Sequence, residues 1–360
     1  MEQRLTRLRA AMDKQGLDAV LVLRPENRRY LSGFTGSAGV LLVTQDEPVF
    51  LTDFRYTQQA EAQCKHCRIV EYPNGANPNS TLFELLQANA AKRLGFESDF
   101  VTYAQHQTFQ QAFTDVELVP AAGLVEELRL YKDESELAVL RQAAKIADDA
   151  FAHILTVLKP GLTEREVALE LETFMRKAGA DSSAFDIIVA SGHRSALPHG
   201  RASDKVIEKG DFVKMDFGAY YQGYNSDLTR TVVLGQPSDK QREIYDTVLQ
   251  AQLHAVAHIK AGMTGREADA LARDIIAAKG YGDNFGHSLG HGLGMLVHEA
   301  PSLSQLRGDH VLEPGMVVTV EPGIYLPEFG GVRIEDDIVI TDKGNEVLTK
   351  STKQLLILEQ

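Results

Sequence analysis

Two aspartates, Asp216 and Asp227, occupy neighbouring segments whose composition is typical of β-strands. A two-residue turn at Tyr221 and Gln222 would place the two carboxylates directly opposite each other in a hairpin. Opposed Cβ atoms lie about 5 Å apart, and like charges at that distance destabilise a sheet unless a cation lies between them. A bulge in the ladder, or exposure of both side chains to solvent, would remove the conflict. The pair therefore indicates a divalent-cation site, with those two alternatives open.

Two glutamates lie in strand-like hydrophobic segments further along the chain. Glu321 ends the run MVVTVE, and Glu335 lies within GVRIEDDIVI. A carboxylate among core residues must be paired, protonated or bound to a metal, because desolvating it alone costs several kcal/mol. Asp336 and Asp337 also fit ordinary loop acids, so the pattern indicates Glu321 more firmly than Glu335.

A cluster of histidines lies between these two acidic pairs. His287, His291 and His298 fall within twelve residues and are separated by three glycines. Glycines at this spacing permit close approach of the backbone and leave room for imidazoles to converge. A single histidine is most often a structural residue, but three histidines beside two acidic pairs indicate a functional site.

The charge of these side chains indicates the kind of metal. The four carboxylates and one neutral imidazole, that of His291, carry four negative charges, which two divalent ions would neutralise. Oxygen ligands with one imidazole and no thiolate favour manganese, cobalt or another borderline-hard ion over a structural zinc. Two such ions activate water and polarise a carbonyl group, which is the chemistry of metal-assisted hydrolysis.

Two other motifs offer different chemistry. The segment Gly286-His-Ser288-Leu-Gly290 matches the G-x-S-x-G elbow of serine hydrolases, which needs a strand before the serine and a helix after it. Residues 279–285 make a poor strand, and the glycines after Ser288 make a poor helix, so we expect no elbow there. Cys64 and Cys67 form a lone C-x-x-C pair, which is more often two incidental thiols than a redox or zinc site.

The first 130 residues alternate short β-rich runs with helical segments, which is typical of a layered α/β domain. A long helical pattern then begins at Asp133 and stops at Pro160, so we place a domain boundary at about residue 130. The predicted strands of the first domain are 18–23, 39–44, 49–52, 67–72 and 116–119, and its predicted helices are 5–15 and 81–93.

The second domain contains an internal repeat. Residues 159–166 and 260–267 share lysine, glycine, threonine, arginine and glutamate at corresponding positions, 101 residues apart. Each copy predicts a helix that begins with a capping box and ends near a glycine. These residues are Thr163, Glu166 and Gly179 in the first copy, and Thr264, Glu267 and Gly280 in the second. Unless the match is chance, the repeat predicts a pseudo-symmetric α+β domain with a site at the seam between its halves.

The composition argues against several kinds of partner. Apolar residues make up 44% of the 360, and 37 basic against 50 acidic residues leave a net charge of −13. This charge repels phosphate backbones and anionic lipid surfaces, so we expect no nucleic-acid and no membrane partner. The charged start of the chain and its two cysteines fit a cytoplasmic protein in a reducing compartment.

Taken together, the motifs resemble those of the proline-specific metallopeptidases of the pita-bread fold, the family of aminopeptidase P and prolidase. The run from His287 to Glu299 resembles the proline-peptidase signature of this family, and the four acidic residues lie in segments similar to its other ligand blocks. The resemblance implies an α/β creatinase-like N-terminal domain over residues 1–130. It also implies a pseudo-symmetric α+β catalytic domain of the pita-bread fold over residues 131–360.

The resemblance also implies a complete ligand set for two Mn²⁺ or Co²⁺ ions. Asp227 and Glu335 would bridge the two ions. Asp216 would complete the ligands of one ion, and His291 and Glu321 would complete those of the other.

Roles for further residues follow from the same resemblance. Glu321 matches the proton-transferring glutamate of the family as well as a ligand. His199 and His298 match the two histidines that hold the substrate carbonyl and stabilise its oxyanion, a task for preorganised donors. His287 and Arg333 match residues that line the substrate pocket.

The type of peptidase depends on fewer residues. Segments 32–39 and 52–60 are most similar to aminopeptidase P, and Ser302 stands where some prolidases carry an arginine that holds the free carboxylate of a dipeptide. We therefore favour an Xaa-Pro aminopeptidase acting on proline-containing peptides, with an Xaa-Pro dipeptidase as the alternative. The family also implies a homodimer. A hydrolase based on Ser288 and an inactive binding module of the same fold are remote alternatives.

Overall fold

The computed structural model describes residues 1–359. These residues form two compact units, Met1–Arg129 and a second unit that begins at Leu130. No helix within residues 1–359 is both long enough and apolar enough to cross a membrane.

The first unit is an α/β domain around one six-stranded sheet. The strand order is β4-β3-β2-β1-β5-β6, and β1, β5 and β6 run parallel to one another while β2 is antiparallel to both its neighbours. Leucine, valine and phenylalanine side chains from both layers form its core. The strands are β1 Ala19–Val22, β2 Val40–Thr44, β3 Val49–Thr52, β4 Arg68–Glu71, β5 Arg93–Phe96 and β6 Glu117–Pro120. The helices are α1 Glu2–Gln15, α2 Pro25–Ser32, α3 Thr57–Gln63, α4 Pro78–Ala88, α5 Tyr103–Ala112 and α6 Glu126–Arg129.

All five predicted strands of this unit are present, but the sequence pattern misses β5, α2, α3, α5 and α6. The predicted helix 81–93 is displaced, because α4 begins at Pro78 after an Asn77 cap and ends at Ala88. Asparagine followed by proline is a helix start signal that the prediction passed over. β5 contains a glycine and no β-branched residue, and Gly95 leaves room there for Leu17. Such a strand is defined by packing rather than by local propensity.

The helices of the second unit occur in two pairs, as the internal repeat predicts. In each pair the second helix begins with a capping box in which the threonine hydroxyl accepts the glutamate N–H and the glutamate carboxylate accepts the threonine N–H. The ion pairs Arg165–Asp204 and Arg266–Asp309 follow at equivalent places. The repeat is therefore structural. The helices are α7 Glu134–Val157, α8 Glu164–Lys177, α9 Asp239–His258 and α10 Gly265–Ala278.

Each helix pair covers its own sheet, and both sheets are antiparallel except for the parallel pair β12/β20. α7 and α8 share a core with the sheet β20-β12-β9-β8, and α9 and α10 share one with the sheet β14-β13-β15-β18-β19. The pairs β9/β12 and β15/β18 are the centres of the two sheets. The strands are β7 Ser182–Ser183, β8 Ile188–Ser191, β9 Phe212–Phe217, β10 Ala219–Tyr221, β11 Tyr224–Asn225, β12 Leu228–Leu234, β13 Gly290–Gly292, β14 Glu299–Leu303, β15 Val317–Val320, β16 Gly323–Leu326, β17 Gly330–Arg333, β18 Asp336–Thr341, β19 Gly344–Val347 and β20 Ile357–Leu358.

The register of the β9/β12 hairpin differs from the prediction. The turn lies at Gln222 and Gly223, with φ of 47° and 88°, so Asp216 pairs with Thr229 instead of Asp227. Two successive residues with positive φ make the turn that matches the twist of a hairpin, and glycine favours such a position. Asp227 is therefore diagonal to Asp216 rather than opposite it, a spacing that long side chains still bridge.

Candidate active site

The two central strand pairs deliver the four predicted carboxylates to one place. Asp216 lies in β9 and Asp227 directly precedes β12, while Glu321 directly follows β15 and Glu335 directly precedes β18. His291 is the central residue of β13, beside β15. A cavity of about 620 Å³ is lined by every residue that the sequence analysis assigned to the site: Asp216, Asp227, Glu321, Glu335, His199, His287, His291, His298 and Arg333.

Several ligand atoms in this cavity lie within coordinating reach of one point. Asp227, His291 and Glu335 each offer an atom within 4.8 Å of the others. His291 Nε2 is 3.7 Å from Asp227 Oδ2 and 3.4 Å from Glu321 Oε1. Burial lowers the pKa of His291, so its imidazole is neutral, which is the form that binds metals.

Threonine hydroxyl groups hold two of the carboxylates. Thr229 Oγ1 donates to Glu335 Oε2 at 2.5 Å, and Thr319 Oγ1 donates to Glu321 Oε1 at 3.2 Å. Both threonines lie two residues from a carboxylate ligand, Asp227 or Glu321, and so share a face with it. That spacing is the signal that would have identified them from the sequence.

The electrostatics of the cluster favour added positive charge. Burial raises the pKa of Asp227 and Glu335 well above their ordinary values, and neighbouring carboxylates raise it further. Burial also raises the pKa of Glu321 to about 7. Asp216 Oδ1 is buried without a hydrogen-bond partner. The cluster thus has four carboxylates, one of them with an unbonded oxygen, and one neutral imidazole. This set fits divalent cations, which would supply the missing positive charge.

Arg333 is buried, and its guanidinium group contacts four polar groups. Its guanidinium contacts Asp216 Oδ2 and donates to Thr229 Oγ1 at 3.0 Å, to the Pro198 carbonyl at 3.0 Å and to Tyr325 OH at 2.9 Å. Arg333 therefore fixes one carboxylate ligand relative to the cavity wall. Tyr325, which lies four residues after Glu321 in the run VEPGIY, was not among the predicted site residues.

The three histidines outside the ligand set occupy different environments. His287 Nδ1 donates to the Ser288 carbonyl at 2.7 Å, so its Nε2, 2.8 Å from Tyr325 OH, accepts. Burial lowers the pKa of His287 to about 3, which keeps it neutral. The His298 ring lies 4.2 Å from that of His291, and burial lowers its pKa. His199 lines the cavity with an exposed side chain.

The other two motifs lack the geometry that their chemistry needs. Ser288 lies between a 3₁₀ turn, Gly282–Asn284, and strand β13, so the strand–serine–helix arrangement of a nucleophile elbow is not formed. Cys64 and Cys67 are free thiols. Burial raises the pKa of both, that of Cys67 to about 12, which disfavours the reactive thiolate.

Comparison with known families agrees with this arrangement. The model of the creatinase/prolidase N-terminal domain matches residues 4–131, and that of metallopeptidase family M24 matches residues 138–342. The chain belongs to metallopeptidase family M24. The predicted family and the predicted fold, a creatinase-like N-terminal domain with a pita-bread catalytic domain, are confirmed.

Similar proteins extend over almost the whole of this M24 chain. The Xaa-Pro dipeptidase of Pyrococcus furiosus is 42% identical over 99% of this chain and 100% of its own length. A solved Xaa-Pro dipeptidase from Bacillus anthracis is 56% identical and covers 99% of both chains with a TM-score of 0.97. A solved X-Pro aminopeptidase from Thermotoga maritima is 40% identical, covers 97% of this chain and 100% of its own, and has a TM-score of 0.91.

Proposed function

We propose that this M24 peptidase uses two divalent metal ions to hydrolyse the peptide bond before proline and release the N-terminal residue of Xaa-Pro-Yaa peptides. The observation that carries the proposal is the convergence of four carboxylates and one imidazole on one cavity. All five belong to the ligand set that the sequence resemblance implies. An inactive binding module would have no need of the complete set.

Asp216, Asp227, His291, Glu321 and Glu335 would together hold two Mn²⁺ or Co²⁺ ions. When bound, such ions lower the pKa of water and polarise the scissile carbonyl group.

The remaining chemistry belongs to side chains of the chain itself. Glu321 would accept a proton and return it to the departing amine, the role that the sequence resemblance implies for it. His199 and His298 line the cavity and would donate hydrogen bonds to the oxygen of the scissile carbonyl. Phe185, Ile188 and Val297 give the cavity an apolar wall suited to a pyrrolidine ring.

Two features bear on the length of the substrate. Ser302 pairs with His291 across β13 and β14, so an uncharged residue stands where a carboxylate clamp would be. This supports the aminopeptidase, because a longer peptide has no carboxylate at that position. The alternative, an Xaa-Pro dipeptidase, draws support from the names of the Pyrococcus and Bacillus relatives. It also draws support from Arg201, an exposed cation that lines the cavity and pairs with Asp186 at 2.9 Å.

One assay tests the chemistry and the substrate length together. Removal of metal with a chelator should abolish hydrolysis of Xaa-Pro bonds, and Mn²⁺ or Co²⁺ should restore it. Full activity in a metal-free preparation would refute the proposal, and a protein that binds no divalent ion would favour the inactive binding module. The wild type should then cleave Xaa-Pro-Yaa with higher kcat/KM than Xaa-Pro.

Arg201→Gln separates the two substrate classes. If Arg201 holds a dipeptide carboxylate, the substitution raises KM for Xaa-Pro but leaves KM for the corresponding amide unchanged. Equal KM values for Xaa-Pro before and after the substitution would remove this support for the dipeptidase. The predicted homodimer is tested separately, by light scattering of the same preparation.

A further inference from the structure

Lys214 is a buried cation of β9 that the proposed reaction does not use. Its exposed fraction is 0%, and it lies two residues before Asp216, on the same face of the strand. Its Nζ donates to the carbonyl oxygens of Ser195, Leu197 and Pro198, at 3.1, 2.5 and 3.3 Å. Three acceptors match the three N–H donors of an ammonium group.

These three carbonyl groups belong to the segment that leads directly into His199. The segment 192–198 begins with a 3₁₀ turn, Gly192–Ala196, and lies outside the strands, so it has no partner in a sheet ladder. The Ser195 carbonyl is buried, and a buried carbonyl without a donor costs about 1–3 kcal/mol, which Lys214 avoids. The Ser195 hydroxyl also accepts from the Gly331 N–H at 2.8 Å, and the Leu197 carbonyl also accepts from the Gly200 N–H at 3.2 Å. The Pro198 carbonyl also accepts from Arg333, which links this segment to Asp216.

His199 depends on its backbone for its position. Its side chain is exposed, and within residues 1–359 no group hydrogen-bonds its imidazole. We propose that Lys214 is a positioning residue that fixes segment 192–198 and thereby holds His199 at the cavity. The role of His199 toward substrate rests on the proposed function, whereas the anchoring of the segment does not.

The anchoring does not depend on the protonation state of Lys214. Burial lowers the pKa of Lys214 well below its ordinary value, Arg333 adds to this effect, and Asp216 opposes it. An ammonium group has three N–H donors and a neutral amine has two. At least two of the three carbonyl groups therefore keep a donor from Lys214 in either state.

Three variants test the proposal. Lys214→Met removes the donors and keeps an unbranched side chain, while Lys214→Arg keeps the donors. Lys205→Met is the matched control, because Lys205 Nζ also makes three bonds, to the Ser191 hydroxyl at 3.0 Å, the Val206 carbonyl at 3.1 Å and the Asp211 carboxylate at 2.7 Å. None of these three partners lines the cavity.

The first measurement is amide hydrogen exchange of the metal-loaded protein, resolved over residues 192–200. Lys214→Met should accelerate exchange in this segment by about tenfold, and Lys205→Met should leave it unchanged. Exchange at the wild-type rate in Lys214→Met would overturn the proposal. Because this readout needs no turnover, a failure to cleave proline peptides would count against the proposed function alone.

The second measurement is a double-mutant cycle with His199→Ala. In the wild-type background Lys214→Met should lower kcat by about 10–100-fold, since small displacements of a catalytic group have effects of that size. In the His199→Ala background the same change should lower kcat less than about twofold, because the histidine that Lys214 positions is absent. An equal loss of kcat in both backgrounds would overturn the proposal. Lys214→Arg should retain most of the wild-type kcat.

A further variant keeps the test valid if Lys214→Met does not fold. Lys214→Thr suits a β-strand, and threonine already stands at the equivalent place of the second sheet, where Thr319 precedes Glu321 by two residues. Its hydroxyl cannot span the distance that the lysine side chain covers. We again expect faster exchange in residues 192–200 and a loss of kcat that occurs only when His199 is present. The absence of these effects would overturn the proposal.

Discussion

We predict that Thr229→Val weakens metal binding while the fold is retained. Thr229 has no exposed surface; its Oγ1 donates to Glu335 Oε2 at 2.5 Å and accepts from Arg333 Nε at 3.0 Å. Valine has nearly the same shape but neither a donor nor an acceptor. Two buried charged groups therefore each lose a hydrogen-bond partner.

The size of the effect follows from these two lost bonds. Loss of a partner that orients a metal ligand typically costs about 10–100-fold in affinity, or about 1.4–2.7 kcal/mol. Burial raises the pKa of Glu335, and the Thr229 hydrogen bond opposes that rise. Without the bond the pKa rises further and protons compete better with the metal, so the loss should be larger at pH 6 than at pH 8.

The assay is a competition titration of Mn²⁺ against a fluorescent chelator at pH 6, 7 and 8. Thr231→Val is the matched control, since Thr231 lies on the same strand and face, is equally buried, and bonds only the Arg333 backbone at 3.0 and 3.3 Å. Its Mn²⁺ affinity should stay within about twofold of the wild type. Wild-type affinity in Thr229→Val, or an equal loss in Thr231→Val, would refute the reasoning.

Three other predictions concern buried carboxylates. Asp336→Asn should lower the free energy of unfolding by about 3–5 kcal/mol in urea, because Asp336 is fully buried with Arg230 at 2.8 Å and Lys353 at 2.7 Å. Burial alone would raise the pKa of Asp336, but these cations hold it below its ordinary value, so the variant and wild type should converge as the pH falls below about 4. Metal-free protein should be less stable at pH 8 than at pH 5, on the order of 1–3 kcal/mol by thermal unfolding. Burial raises the pKa of Glu321 to about 7 and also raises the pKa of Asp227 and Glu335, so the folded state binds more protons than the unfolded state; excess Mn²⁺ should abolish this trend. Glu321→Gln should reduce the same slope and lower kcat by about 10²–10⁴-fold, whereas an unchanged kcat would exclude proton transfer by Glu321.

The sequence predicts the composition of the site better than its geometry. Carboxylates in β-branched runs and histidines spaced by glycines are visible as patterns. Burying such groups is unfavourable unless they are paired, protonated or bound to a metal. The pairing of Asp216 with Thr229 was not visible, since the register depends on whether Gln222 and Gly223 adopt positive φ. Local patterns also could not reveal β5, because its residues Arg93–Phe96 include a glycine and no β-branched side chain.

Groups that act through tertiary contacts were missed for the same reason. Tyr325 and Lys214 carry no local signal of function, because a tyrosine and a lysine in a strand are most simply interpreted as ordinary side chains. Their roles follow from partners far away in sequence, such as the His287 imidazole and the Pro198 carbonyl. A pairing between residues of distant number becomes apparent only when the sheets have been assembled.

The two halves of the catalytic unit have diverged at equivalent places, and that divergence explains what each contributes. Two residues before its carboxylate, the second half carries Thr319, whose hydroxyl supports Glu321 directly. The first half carries Lys214 there, and its longer side chain passes the carboxylate and reaches the turn before His199. Two similar sheets thus provide similar carboxylates, while the residue two places earlier supports the carboxylate of Glu321 in one half and, under our proposal, the position of His199 in the other. If Lys214→Thr leaves both hydrogen exchange and kcat unchanged, this division of roles is wrong.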